Sequence, residues 1–204
     1  MGKQLALGSI LGAIVLFVWS AIAWMLIPWP GDPLHSFTNE DAVAQAITAN
    51  APRSGNYLLP NEVKRTSGMS DQQYAAAQKA AEDRMTRGPI VFAAVRLEPF
   101  GSMGKALVIK FLTQFVVALL ATLLLLQTSG LTRAGRIGFV TAIGVVIFVG
   151  VPLDEWTWWG FGNSYTLMQF GAIVIGWLLA ALVISTVVRG KQVPAVNSGG
   201  ESYG

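Results

Sequence analysis

Residues 5–27 read LALGSILGAIVLFVWSAIAWMLI, an apolar run without a charge that stops at Pro28-Trp29-Pro30. A helix rises about 1.5 Å per residue, so about 20 such residues cross the hydrocarbon core of a bilayer. The run predicts a membrane span, and the rest of the chain repeats the theme. Residues 106–126 form a second candidate, interrupted by Lys110 and Gln114. Residues 137–153 form a third, short and Gly-bearing, and residues 167–188 a fourth, followed by Arg189 and Lys191. Composition agrees: 53% of the residues are hydrophobic and 12% charged, against about 25% charged in soluble domains. Mean hydropathy is +0.53.

The first run has a rival reading as a signal peptide, with Lys3 before it and Ala21-Ile22-Ala23 as a small-residue cleavage site. It continues through Trp24 to Ile27, longer than the usual apolar region of such a leader, which favours an uncleaved anchor. Positive charge in short loops marks the cytoplasmic side. With four spans, Lys3, the Arg133–Arg136 loop and Arg189 with Lys191 fall on one side, so the expected topology is N-in and C-in. Residues 28–104 and 154–166 then face the opposite compartment. Trp24 and Trp29 close the first span, and Trp156, Trp158 and Trp159 sit between the third and fourth. Their plainest reading is an interfacial belt; a cluster that stacks a ligand or contacts a pigment is the alternative.

Residues 28–104 turn polar and Ala-rich. Thr38-Asn39-Glu40-Asp41 predicts a helix start with acids in its first turn, running to Ala49 and stopped by Asn50 and Pro52. Residues 55–59 suggest a short strand before Pro60. Ser70-Asp71-Gln72-Gln73 is a capping-box pattern that predicts a helix to Arg87, closed by Gly88-Pro89. Residues 90–97 alternate as a second strand, with Ile90, Phe92, Ala94 and Arg96 on one face and Val91, Ala93, Val95 and Leu97 on the other. Two strands alone are marginal in water, so this small α+β domain needs its helices, the membrane or a partner to cover them.

The chain offers little catalytic chemistry. Cys is absent, which removes disulfides and thiolate chemistry together. A net charge of +3 without a dense basic run leaves nucleic acid no electrostatic footprint. Gly101-Ser102-Met103-Gly104-Lys105 resembles a phosphate loop but has Pro99 and Ala106 where the pattern needs Gly and Ser or Thr. His35, the lone histidine, has Asp32, Glu40 and Asp41 near it in sequence, yet a metal site ordinarily converges more than one imidazole. A turn histidine before an acidic helix start explains the same residues.

Lys110 stands inside the second span, where a charge is costly and is paired, faces a cavity or snorkels to the interface. The topology predicts an ion pair with Asp154 or Glu155, at the far end of span three. Gln114 follows one turn later on the same face, and Gln114 and Gln169 are expected to hydrogen-bond across helices. Gly8 with Gly12, Gly138 with Ala142, and Gly176 between Ala172 and Ala180 read as small residues that let helices approach closely. Trp19 and Trp177, away from the belt, are candidates for lipid, pigment or partner contact.

Leu34-His35-Ser36-Phe37 with Asn39-Glu40-Asp41-Ala42-Val43-Ala44, the stretch Tyr57 to Pro60, and Gly88-Pro89-Ile90-Val91-Phe92-Ala93 carry a resemblance. Phe111-Leu112-Thr113-Gln114, Trp158-Trp159-Gly160-Phe161 and Tyr165-Thr166-Leu167 extend it. Most of the chain resembles a group of small, uncharacterised, four-span bacterial inner-membrane proteins without a known activity. The resemblance implies a bacterial envelope setting and nothing about chemistry.

The expected fold is therefore a mainly α membrane protein: a four-helix transmembrane bundle with a small extramembrane α+β domain inserted between spans one and two. Residues 1–27 are the anchor, 28–104 the extracytoplasmic domain on the periplasmic side, 105–191 the remaining spans, and 192–204 a disordered cytoplasmic tail. The expected function is a structural or accessory subunit of a larger bacterial membrane complex, a bioenergetic one (photosynthetic or respiratory) on class frequency. A small-solute carrier or membrane sensor using the Lys110–Gln114 face is the alternative. An enzyme is not expected, nor a cofactor; bound lipid or pigment stays open, and the expected partners are membrane lipid and other membrane subunits, not nucleic acid.

Overall fold

Apolar runs become helices because a backbone without water to bond to must satisfy itself internally. In the computed structural model, which describes residues 1–189, α1 is Gly2–Met25, α4 Met103–Gln127, α5 Arg133–Gly150, α6 Pro152–Trp159, α7 Asn163–Phe170 and α8 Gly176–Val187, the last two joined by a π-turn at Gly171–Ile175. The segment between α1 and α4 holds α2 (Glu40–Asn50), β1 (Gly55–Leu59), α3 (Asp71–Arg87) and β2 (Val91–Val95). Lys191 and the tail from residue 192 lie outside the described residues. The protein is mainly helical with one small two-stranded sheet, and four of its rods are long and apolar enough to cross a membrane: Gly2–Met25, Met103–Gln127, Arg133–Trp159 and Asn163–Val187.

The third rod is longer than residues 137–153. Pro152 removes a backbone donor and ends α5, but proline also suits a first helical position. The chain therefore turns at Val151 and restarts as α6, with Asp154 and Glu155 in its first turn, where the helix dipole favours acids.

The chain divides into two compact units, Met1–Leu34 with the residues from Ser102 onward, and His35–Gly101. In the first, α1 packs against α4 and α8, and α5 packs against α8, while α4 and α5 touch little. The shared interior is made of small residues: Ala13, Ala118, Ala121, Ala180 and Ala181 are fully buried beside Leu125, Val140 and Ile184. Buried hydroxyls bond back to their own helices, Ser9 to Leu5 O at 2.7 Å and Thr122 to Ala118 O at 2.7 Å. Large aliphatic side chains point outward instead, Leu7, Ile10, Ile14 and Val18 on α1 and Leu112, Val116, Leu120 and Leu124 on α4. Stripes of that size suit hydrocarbon rather than water, and with the four long apolar rods they mark a membrane protein.

Several glycines hold this interior together. A Cβ on Gly8 would stand 2.7 Å from Thr122 Cγ2, and one on Gly12 2.9 Å from Ile184 Cδ1. On Gly144 it would meet the Trp177 side chain at 2.5 Å, and on Gly176 Cδ1 of Trp19 at 2.7 Å. Gly138 differs: its Cβ position has nothing within 4 Å, and Gly144 is the close-packing glycine of α5. At the α1 N-terminal end, Arg136 donates to Leu131 O, in the loop before α5, at 2.9 Å and to Ser185 O at 3.4 Å, so a cation reaches one carbonyl in the last turn of α8.

In the His35–Gly101 unit the local signals act as the sequence suggests. Asn39 caps α2 by accepting from Ala42 N at 2.9 Å. Ser70 and Gln73 form a reciprocal capping box on α3, which ends at Gly88 with φ +69°. The strands pair antiparallel, Gly55 opposite Val95 and Leu59 opposite Val91. Ser54 staples their open end, donating to Glu98 Oε2 at 2.5 Å and accepting from Leu97 N at 2.8 Å. That bond holds the Glu98 carboxyl below its ordinary value of 4.5, with the carboxylate's backbone hydrogen bond and the Arg96 charge adding to it. Arg65 pairs with Asp71 and lies over the Tyr74 ring.

Candidate functional site

Lys110 sits seven residues into α4, about 10 Å along its axis, and Gln114 lies one turn deeper on the same face. Gln169 reaches the same level from the end of α7. These three side chains line one cavity of about 350 Å³. Its walls come from α1 (Leu16, Ser20, Trp24), α4 (Val117), α5 (Ile147), the π-turn (Ala172, Ile173) and α8 (Trp177), so all four rods contribute. The space exists because α4 and α5 each pack on another helix and leave a gap between them at this level.

Among the described residues, Lys110 forms no salt bridge with Asp154 or Glu155. Lys110 shares its cavity with Ile147, and Asp154 lies seven residues beyond, about 10 Å along the rod. The break at Val151–Pro152 then redirects both acids into a new helix start. Among the described residues Gln114 and Gln169 make no hydrogen bond across helices either; both line the cavity. Ser20 is satisfied by donating to Phe17 O at 2.8 Å. Among the described residues no carboxylate lines the cavity, and Lys110 is the one formally charged side chain there.

The π-turn at one edge follows the same logic. A widened turn displaces carbonyls from their usual i+4 donors, and the Trp19 indole N–H reaches those of Gly171 (3.3 Å) and Ala172 (3.1 Å). The Trp29 indole folds back to Ala23 O at 2.6 Å, and its ring covers Gly171. Trp19 and Trp177 are thus packing residues between helices of one chain, where the sequence suggested outside contacts. The signal for Trp19 was the missing side chain at Gly176, as that for Trp29 was the one at Gly171.

The aromatic residues gather at one end of this unit. Trp24 meets Tyr165 edge to face with ring centres 6.4 Å apart, and Trp156 donates to Asn163 Oδ1 at 2.7 Å. Trp158 is 77% exposed and Trp159 is exposed as well. Lys3, Arg136 and Arg189 lie at the opposite end, where Gly8 approaches Val188 and Arg136 bonds Ser185.

A second cavity, of about 370 Å³, lies within the His35–Gly101 unit between α2 and the sheet. Val43 and Ile47 face Tyr57, Leu59, Val91 and Val95 across it, and its lining is almost wholly apolar. Among the described residues no group of three His, Asp or Glu gathers as a metal site. Ser102, in the stretch that resembles a phosphate loop, caps α4 by accepting from Lys105 N at 3.5 Å. Comparison of the chain with protein-family models, curated proteins and solved structures gives no match.

Proposed function

We propose that this chain is an accessory subunit of a larger bacterial membrane complex. Four spans hold it in the inner membrane with both termini cytoplasmic and the His35–Gly101 unit in the periplasm. The observation that carries the reading is the thinness of that unit: neither α2 nor α3 has a buried residue, and the apolar groove between α2 and the sheet stands open. A two-stranded sheet with so little cover gains its missing core from a partner's surface. The orientation rests on Lys3, Arg133, Arg136 and Arg189 at one end and the Trp belt at the other. A bioenergetic complex is the class that frequency favours among small accessory membrane subunits.

Purification from native membranes in a mild detergent tests it. The chain should leave the membrane with other subunits at fixed stoichiometry, identified by mass spectrometry. A monodisperse, partner-free chain overturns the reading. A small-solute carrier or sensor is the second reading, and the polar cavity reached by Lys110 favours it. It requires uptake or response that is lost in Lys110→Ala.

A further inference from the structure

The geometry points to the Lys110–Gln114–Gln169 cavity as a binding site for a small organic oxyanion, a carboxylate or phosphate carried on an apolar body. An ammonium at membrane depth is costly unless something compensates it, and here neither acid of the α6 start reaches it. Lys110 brings three donors, and each Gln amide brings two. Lys110 and Gln114 come from α4 and Gln169 from α7, yet all three share one space, and their side chains have no partner among the described residues. With no carboxylate among the described lining residues, the cavity carries a positive formal charge. Charge-assisted bonds to an oxyanion satisfy all three groups together.

The rest of the lining sets the body of the ligand. Leu16, Val117, Ile147 and Ile173 form apolar walls, with the rings of Trp24 and Trp177 beside them. A volume of about 350 Å³ is at the small end of ligand sites. It takes a short-chain acid whole, or the head group of an anionic lipid whose tails stay in the bilayer. The assignment concerns binding and holds whether the chain works alone or within a complex.

The test uses the full chain in a neutral detergent with two probes, hexanoate as the free solute and phosphatidylglycerol as the lipid. Hexanoate should change the tryptophan emission saturably, because two indoles line the cavity. Lys110→Met should weaken that binding by about tenfold or more, since hydrogen bonds to a charged group contribute about 1.5–3 kcal/mol. Lys110→Arg should largely keep it, and Gln114→Leu and Gln169→Leu should each weaken it severalfold. In the lipid arm, native mass spectrometry should show phosphatidylglycerol, not phosphatidylcholine, retained by wild type and lost from Lys110→Met. Response to hexanoate alone identifies a free solute, and retention of phosphatidylglycerol alone identifies a lipid head group. No binding of either probe overturns the assignment, as does binding unchanged in Lys110→Met. If Lys110→Met does not fold, Gln169→Leu decides by the same readouts, with binding equal to wild type counting against the site. Co-purification with partners is a separate outcome and can succeed or fail independently.

Discussion

Along α1, α4 and α8 most buried positions are small residues, Gly, Ala, Ser and Thr, and at Gly8, Gly12 and Gly176 a single added methyl group would collide with the neighbouring helix. Along α2 and α3 no residue is buried, and order comes from caps, a two-stranded ladder and the Ser54 staple. The two units therefore rely on different physics. In hydrocarbon there is no hydrophobic drive between helices, so close packing and internal hydrogen bonds must hold them. The proposed placement of the His35–Gly101 unit in water would give it a hydrophobic drive, yet its apolar groove stands uncovered.

The largest effect expected from that contrast is at Gly144. Gly144→Leu drives a side chain into Trp177 and should cost about 3 kcal/mol, a fall of on the order of 10 °C in the detergent Tm. Gly138→Leu, on the open side of the same helix, should leave Tm nearly unchanged. Equal falls for both would break the packing half of the comparison. Next comes Trp19→Phe, which strips the indole donor from the Gly171 and Ala172 carbonyls and should cost about 1–3 kcal/mol. Faster amide exchange around the π-turn checks it.

Ser70→Ala is smaller, about 1 kcal/mol for a lost cap. Its signature is local: amides in the first turn of α3 should exchange faster while the Tm of the helical unit holds. Smallest is the pH response of the Ser54–Glu98 staple. The folded Glu98 carboxyl titrates below its ordinary value, so the staple is fully present above about pH 4.5 and is lost as pH falls through the lowered folded value. The Leu97 amide resonance should shift across that window in wild type and stay flat in Glu98→Gln.

Spans and domain elements were legible for different reasons. Hydropathy is a property of a window, so four rods emerged although their ends moved by several residues. Asn39, Ser70 with Gln73, and Gly88-Pro89 act on their own neighbours, so α2 and α3 could be bounded from local chemistry. The surroundings of Lys110 were not legible in this way. Hydropathy says that a residue lies in a span, not which helix stands opposite, and the Asp154–Glu155 expectation assumed that α4 and α5 are close partners. Gln114 and Gln169 were visible as polar exceptions, but their convergence depends on α1 and α8 closing the space around them. Gly144 and Gly138 look alike in sequence, and only the azimuth of α5 separates them.

The π-turn takes up one surplus residue in the last rod. One row of its buried positions steps Met168, Gly171, Gly176, Ala180, Ile184 and Val188, with Trp177, Ala181 and Ser185 beside it, so a single stride of five interrupts strides of three and four. Each residue turns a helix by about 100°, and the wider i+5 turn takes up the surplus residue, so the residues after it stay on the same buried face. Such a stride is the mark of a one-residue insertion. Excising Val174 would restore an unbroken α-helix with Trp177 still against Gly144, and would return the Gly171 and Ala172 carbonyls to their own helix, leaving the Trp19 indole without its acceptors.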